Sequence, residues 1–178
     1  MESVVITTTK PQTLPPVLDA CCGSRMFWFN RLDPRAIFID NRHESHQLPD
    51  SSSNGGSRSL TIAPDLVADF TNLPFPDNSF HLVIFDPPHF TRNGSSSWIN
   101  KKYGTLPSNW QPLIRQGFSE CFRVLIPLST LIFKWNEDDI PLQSIIHLSP
   151  HPPLIGNKYG KSLKSHFLVF LKPPNPNP

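Results

Sequence analysis

Charge of one sign is in short excess. Sixteen lysines and arginines face fourteen carboxylates, a formal net charge of +2 over 178 residues. Such a chain projects no strong basic field, so any contact with nucleic acid has to come from a local patch. Cysteine is sparse too. Three residues, two of them adjacent (Cys21 and Cys22), make no disulfide framework and point to a reducing compartment. No N-terminal apolar stretch resembles a signal peptide, and the longest apolar runs are broken by charge or proline. An intracellular, cytoplasmic chain without membrane contact is expected. His43, His46 and the isolated Cys121 do not supply the tetrahedral donor set of a zinc site, so no metal is expected. Internal repeats are absent. After the first apolar run there is Gly23 but no Gly-x-Gly-x-x-Gly, so a pyrophosphate is poorly accommodated.

What is present is a series of short apolar runs, at 16–19, 36–40, 66–69, 81–86 and 130–135. Near-continuous Val, Ile, Leu and Phe imply strands buried on both faces, as in a parallel sheet. The first four end in an aspartate: Asp19, Asp40, Asp69 and Asp86. Open α/β sheets bind ligands outside the carboxyl ends of their strands, so these acids are site candidates. A last strand is expected at 166–171, with 143–148 as its antiparallel neighbour. The clear helix is 108–124, with Ser108 as its cap and Trp110, Leu113, Ile114, Phe118, Cys121 and Phe122 along one face. Residues 24–31 allow about two helical turns. The stretch 41–59 has no apolar period and reads as a flexible insert where a crossover helix usually lies. With 21 prolines concentrated in loops and tail, 1–13 and 173–178 read as a loose extension and a disordered tail around one domain, 14–172.

A glycine turn after the first strand, with an acid 21 residues beyond Asp19, is a layout for a nucleoside whose ribose hydroxyls are gripped by Asp40. S-adenosylmethionine is a nucleoside without phosphates. Asp69 and Phe70 would suit its adenine, one taking the amino group and the other flanking the base. Taken singly, Asp19 and Asp40 read equally well as turn caps, and Cys21 and Cys22 as small buried residues.

The strongest feature is Asp86-Pro87-Pro88-His89 at the end of an apolar strand. The prolines fix φ and lack N–H groups, so the carbonyls face outward in a stiff geometry. Asp86 and the Pro87 carbonyl can accept two N–H bonds, and His89 offers a flat ring. Taken alone, the motif is also a proline-stiffened turn. The following loop, 90–107, interleaves Arg92, Lys101 and Lys102 with Phe90, Trp98 and Tyr103. Basic and aromatic residues on a long loop suit phosphate contact and stacking, though a solvated loop has the same composition. Trp135, at the end of the fifth run, either walls the pocket or belongs to the core.

Together Asp19-Ala-Cys-Cys-Gly23, Asp40, Asp69-Phe70 and Asp86-Pro-Pro-His89 resemble class I S-adenosylmethionine-dependent methyltransferases, and more narrowly the small phage and bacterial enzymes with Asp-Pro-Pro-Tyr-like motifs. The resemblance spans roughly 16–172. It implies a Rossmann-like, mostly parallel α/β sheet with an antiparallel last strand, here with reduced helices. It implies a cofactor, S-adenosyl-L-methionine, held by Asp19, Cys21, Gly23, Asp40, Asp69 and Phe70. It implies methyl transfer at Asp86, Pro87, Pro88 and His89 to an exocyclic amino nitrogen of DNA or RNA, such as adenine N6. Two departures stand out: His89 replaces the usual larger aromatic ring, and Ile126-Pro-Leu-Ser129 replaces a glycine-rich turn. With no separate recognition domain, the chain has to read its target through its own loops or a partner subunit. A protein amide, a small-molecule acceptor or a non-catalytic binding module are the alternatives.

Overall fold

The computed structural model describes residues 14–49, 56–91, 98–159 and 163–175. The expected terminal extension 1–13 and Arg92 lie outside them. Seven strands form one sheet in the order β5 (Leu66–Val67), β2 (Ala36–Asp40), β1 (Val17–Asp19), β6 (Phe80–Phe85), β7 (Leu125–Asn136), β9 (Ser165–Leu171) and β8 (Ile155–Tyr159). From β5 to β7 every pairing is parallel, and β9 runs antiparallel to both β7 and β8. The expected sheet and its reversed last strand are therefore present. The strands form where apolar runs are long enough to be covered twice: Leu18, Ile39, Val83, Phe85, Leu131 and Phe133 are essentially inaccessible.

Helices are few among the described residues. After α1 (Trp98–Tyr103), the main one is α2 (Gln111–Val124), followed by the single turn of α3 (Leu142–Ile146). Ile114, Phe118, Cys121 and Phe122 of α2 join the core cluster with Phe85 and Phe133. Gly117 sits mid-helix despite its entropic cost, because a Cβ there would lie 2.6 Å from Phe85 and 2.7 Å from Phe70. The helix start differs from expectation. Trp110, not Ser108, is the N-cap and makes no side-chain cap bond. Pro112 occupies the first turn, where its missing N–H costs nothing.

Three further expectations are corrected. Residues 24–31 form turns rather than a helix. The neighbour of β9 is β8, while Leu142–Ile146 of the expected strand 143–148 coils into α3, held by Ser144 N–H bonding to Pro141 and Leu148 N–H to Ile145. The stretch 41–59 is not wholly irregular. Its described part belongs to a hairpin of β3 (Glu44–Pro49) and β4 (Ser57–Ile62), anchored by buried Leu60 and Ile62. Alternation over only six residues, with serines outside, carries too little apolar signal to be read as strand. Ile126-Pro-Leu-Ser129 is an irregularity inside β7, with Leu128 at φ 64°, not a separate turn.

No described helix is long and apolar enough to cross a membrane. Among the described residues no group of three or more His, Cys, Asp or Glu is placed to hold a metal ion.

Candidate active site

The carboxyl ends of β1, β2 and β6 open into one cleft. Asp19, Cys21 and Gly23 line it after β1, Asp40 and Arg42 after β2, and Ala68 and Phe70 beyond β5. Asp86, Pro87, Pro88 and His89 complete it after β6, and Lys102 and Tyr103 of α1 close one side. Three of the four strand-end acids thus share a cavity. Asp69 does not line it. It is exposed, and its Oδ1 accepts from the Thr71 N–H and hydroxyl, both at 2.8 Å.

One local device recurs along the chain: a carboxylate accepts the N–H two residues on. Asp19 takes Cys21, Asp33 takes Arg35, Asp40 takes Arg42 and Asp69 takes Thr71. The device satisfies a loose backbone donor and holds the acid in one rotamer. At Asp86 it cannot form, because the residue two on is Pro88, which has no N–H. Lys134 supplies the missing donor, its Nζ lying 2.9 and 2.7 Å from the two Asp86 oxygens. The parallel register pairs Phe85 with Phe133, which brings the next residue of each strand side by side. The end of the fifth run, 134–137, is expected beside the site, and the structure adds that Lys134 there grips Asp86. Knowing that 81–86 and 130–135 are neighbouring parallel strands would have found it.

Asp40 is equally engaged. Its Oδ1 accepts from Arg42 N–H and Nε, both at 3.0 Å, and its Oδ2 from Gly23 N–H at 2.9 Å and Arg42 Nη2 at 3.4 Å. Gly23 reaches it with φ 49°, a left-handed backbone that favours glycine. Arg42 also donates to the Lys101 carbonyl at 2.9 Å and lies 3.6 Å from Glu44. It ties the Asp40 end of the cleft to α1 and the hairpin.

Asp19 is buried, and burial pushes its carboxyl up to about 7; the charges of Asp86 and Asp40 add to this, while Trp28 Nε1 at 2.7 Å and Cys21 N–H oppose it. The folded state therefore keeps its proton where the unfolded chain has lost it. The contribution of Asp19 to stability is greatest below about pH 4, falls as pH rises toward about 7 and is level above, a total of about 4 kcal/mol at most. Asp19→Asn should flatten that dependence in urea unfolding followed between those limits; an unchanged slope would contradict it. Burial also raises both cleft thiols, Cys21 well above the ordinary range and Cys22 to about 12, so neither is a thiolate nucleophile.

His89 is buried and lines the cleft, with Phe90 at 4.3 Å, Tyr103 at 5.6 Å and Trp135 at 6.0 Å between ring centroids. Burial lowers its pKa, favouring the neutral ring, and its Nδ1 has no hydrogen-bond partner among the described residues. Trp135 is core, not cleft wall. It is inaccessible, stacks on Phe133 and donates to the Ile140 carbonyl at 2.9 Å. Phe90, Trp98 and Lys101 also lie outside the cleft lining.

This strand order, with its single reversed strand and its cleft at the carboxyl edge, can be set against known proteins. No protein-family model and no curated protein matches the sequence. Solved structures do match. The PH0226 protein of Pyrococcus horikoshii OT3 is 17% identical with a TM-score of 0.55, over 88% of this chain and 81% of its own. A SAM-dependent methyltransferase of Methanosarcina mazei is 12% identical at TM-score 0.51, over 89% of this chain and 92% of its own. The chain has the class I methyltransferase fold. A third similar structure comes from the Haloferax volcanii complex of the Trm112 methyltransferase activator with a methyltransferase, 11% identical at TM-score 0.51, over 90% of this chain and 84% of that one.

Proposed function

We propose that this protein is an S-adenosylmethionine-dependent methyltransferase acting on an exocyclic amino nitrogen, with a nucleobase amino group such as adenine N6 as acceptor. The observation that carries the reading is that the Asp86-Pro-Pro-His89 turn and the acids Asp19 and Asp40 line one cleft. The residues suit the cofactor. Asp40 would take the ribose hydroxyls, the Gly23 turn gives backbone room, and Phe70 with Ala68 would wall the adenine. Asp69 would reach the adenine amino group only by leaving Thr71.

When bound, the cofactor supplies an electrophilic methyl group on a sulfonium. An amino nitrogen conjugated to a ring is a poor nucleophile because its lone pair is delocalised. Asp86 accepting one hydrogen and the Pro87 carbonyl the other would pull that nitrogen toward tetrahedral geometry and free the pair. The carboxylate also stabilises the positive charge that develops on nitrogen. Holding the acceptor in line supplies much of the rate. In a duplex the base would first have to be flipped out. The neutral ring of His89 would flank it, braced from behind by Trp135. Lys134 sets the carboxylate's direction, and the acceptor amine would share an oxygen with it.

Calorimetry with S-adenosylmethionine tests the cofactor. Incubation with tritium-labelled cofactor and separate DNA, RNA and protein pools tests the acceptor. Label in nucleic acid supports the proposal, label only in protein moves the acceptor to an amide, and no cofactor heat overturns the enzyme. Lys134→Met should lower kcat about 10-fold or more with cofactor affinity retained. In an Asp86→Ala background it should cost nothing further, since Lys134 acts through Asp86. Additive losses would show an independent role.

A further inference from the structure

The hairpin β3–β4 and helix α1 carry a feature that the transfer chemistry does not use. Arg58 of β4 places its guanidinium carbon 5.8 Å from the ring centre of Trp98 on α1. Lys102 Nζ lies 5.0 Å from the Trp98 ring and 4.7 Å from the Tyr103 ring. Tyr103 in turn is 5.6 Å from His89. Cation and ring thus alternate, Arg58–Trp98–Lys102–Tyr103, in a row that runs from the hairpin down to the Asp-Pro-Pro turn. Trp98 is 38% exposed, large for an indole, and Lys102 and Tyr103 face the cleft. The ammonium of Lys102 meets rings, not a carboxylate, among the described residues. The acid on this side, Glu44, is engaged by Arg42 and His46.

We infer that this hairpin and α1 form the target-recognition surface of the protein, and that its partner is a single strand of nucleic acid. Cations at alternate positions match phosphates, and the rings between them match unstacked bases, whose π-faces any sequence provides. The row ends at the cleft, which a paired base in a duplex cannot enter without flipping. A local row also resolves the near-neutral charge of the chain, since it requires no field from the whole surface. The inference rests on the proposed function for what happens at the end of the row, but strand binding stands apart from catalysis.

The test is fluorescence anisotropy of the full chain with a fluorescein-labelled 20-nucleotide single strand, as DNA and as RNA, against a duplex of the same sequence, at low and moderate salt. The single strand should bind tighter than the duplex. Arg58→Ala and Lys102→Ala should each weaken binding severalfold and reduce the slope of log Kd on log salt by about 1. Trp98→Ala should weaken it about 10-fold with little change in slope, and Trp98→Phe should recover most of the loss. Thermal melting confirms that each variant folds. Preference for the duplex, no binding at low salt, or unchanged Kd in Arg58→Ala and Trp98→Ala would overturn the inference. Calorimetry with S-adenosylmethionine on the same samples separates the two proposals: strand binding without cofactor heat keeps this surface and discards the methyltransferase reading.

Discussion

Asp86→Ala is expected to cut methyl transfer by about 10³-fold while cofactor affinity stays within about twofold. The variant removes the acceptor for one amine hydrogen and the negative charge nearest the nitrogen. It also strips Lys134 of its carboxylate, leaving an ammonium beside the incoming amine where the acid had screened it. Both changes act on the transition state rather than on the nucleoside end of the cleft. Because removing a carboxylate from a largely buried lysine can lower stability, Asp86→Asn is the companion variant. It keeps an oxygen acceptor and the side-chain shape but loses the charge, so its loss should be smaller, about 10- to 100-fold. A rate for Asp86→Ala near that of the unaltered protein, measured with labelled cofactor, would remove Asp86 from the mechanism.

Asp40→Ala is expected to weaken S-adenosylmethionine binding by about 10- to 100-fold, the loss of two hydrogen bonds from a ribose diol to a charged oxygen pair. Arg42→Ala should act in the opposite direction. In the structure Arg42 donates to both Asp40 oxygens, so a ribose has to displace at least part of that grip. Removing the guanidinium frees the acid and should tighten binding severalfold; it also cuts the bond to the Lys101 carbonyl, loosening α1. Calorimetry on the two variants reads both effects. If Asp40→Ala binds the cofactor as tightly as the unaltered chain, the ribose seat lies elsewhere.

How much of this was legible beforehand depends on the range of the interaction involved. Apolar runs at 36–40 and 81–86 announce strands because both faces are covered, and the structure confirms Ala36–Asp40 and Phe80–Phe85 almost residue for residue. Asp-Pro-Pro-His announces a stiff acceptor turn because proline chemistry is local. Trp135 was ambiguous, since its burial depends on Phe133, Ile140 and His89 together. The hairpin was hidden because six polar-rich residues per strand acquire their order from cross-strand pairing and from Leu60 and Ile62 reaching the core. Ser108 has the chemistry of a cap, but a helix that starts at Gln111–Pro112 needs fewer N–H groups satisfied.

The sequence by itself determined the central parallel strands and the acids that follow them, because each follows from neighbouring residues and from burial of continuous apolar runs. Only the tertiary structure decided that Lys134 orients Asp86, that Arg42 holds Asp40 and α1 together, that Asp69 faces solvent, and that Arg58 meets Trp98. The Lys134–Asp86, Arg42–Lys101 and Arg58–Trp98 contacts join residues tens of positions apart, and strand register with side-chain burial sets them, not spacing along the chain.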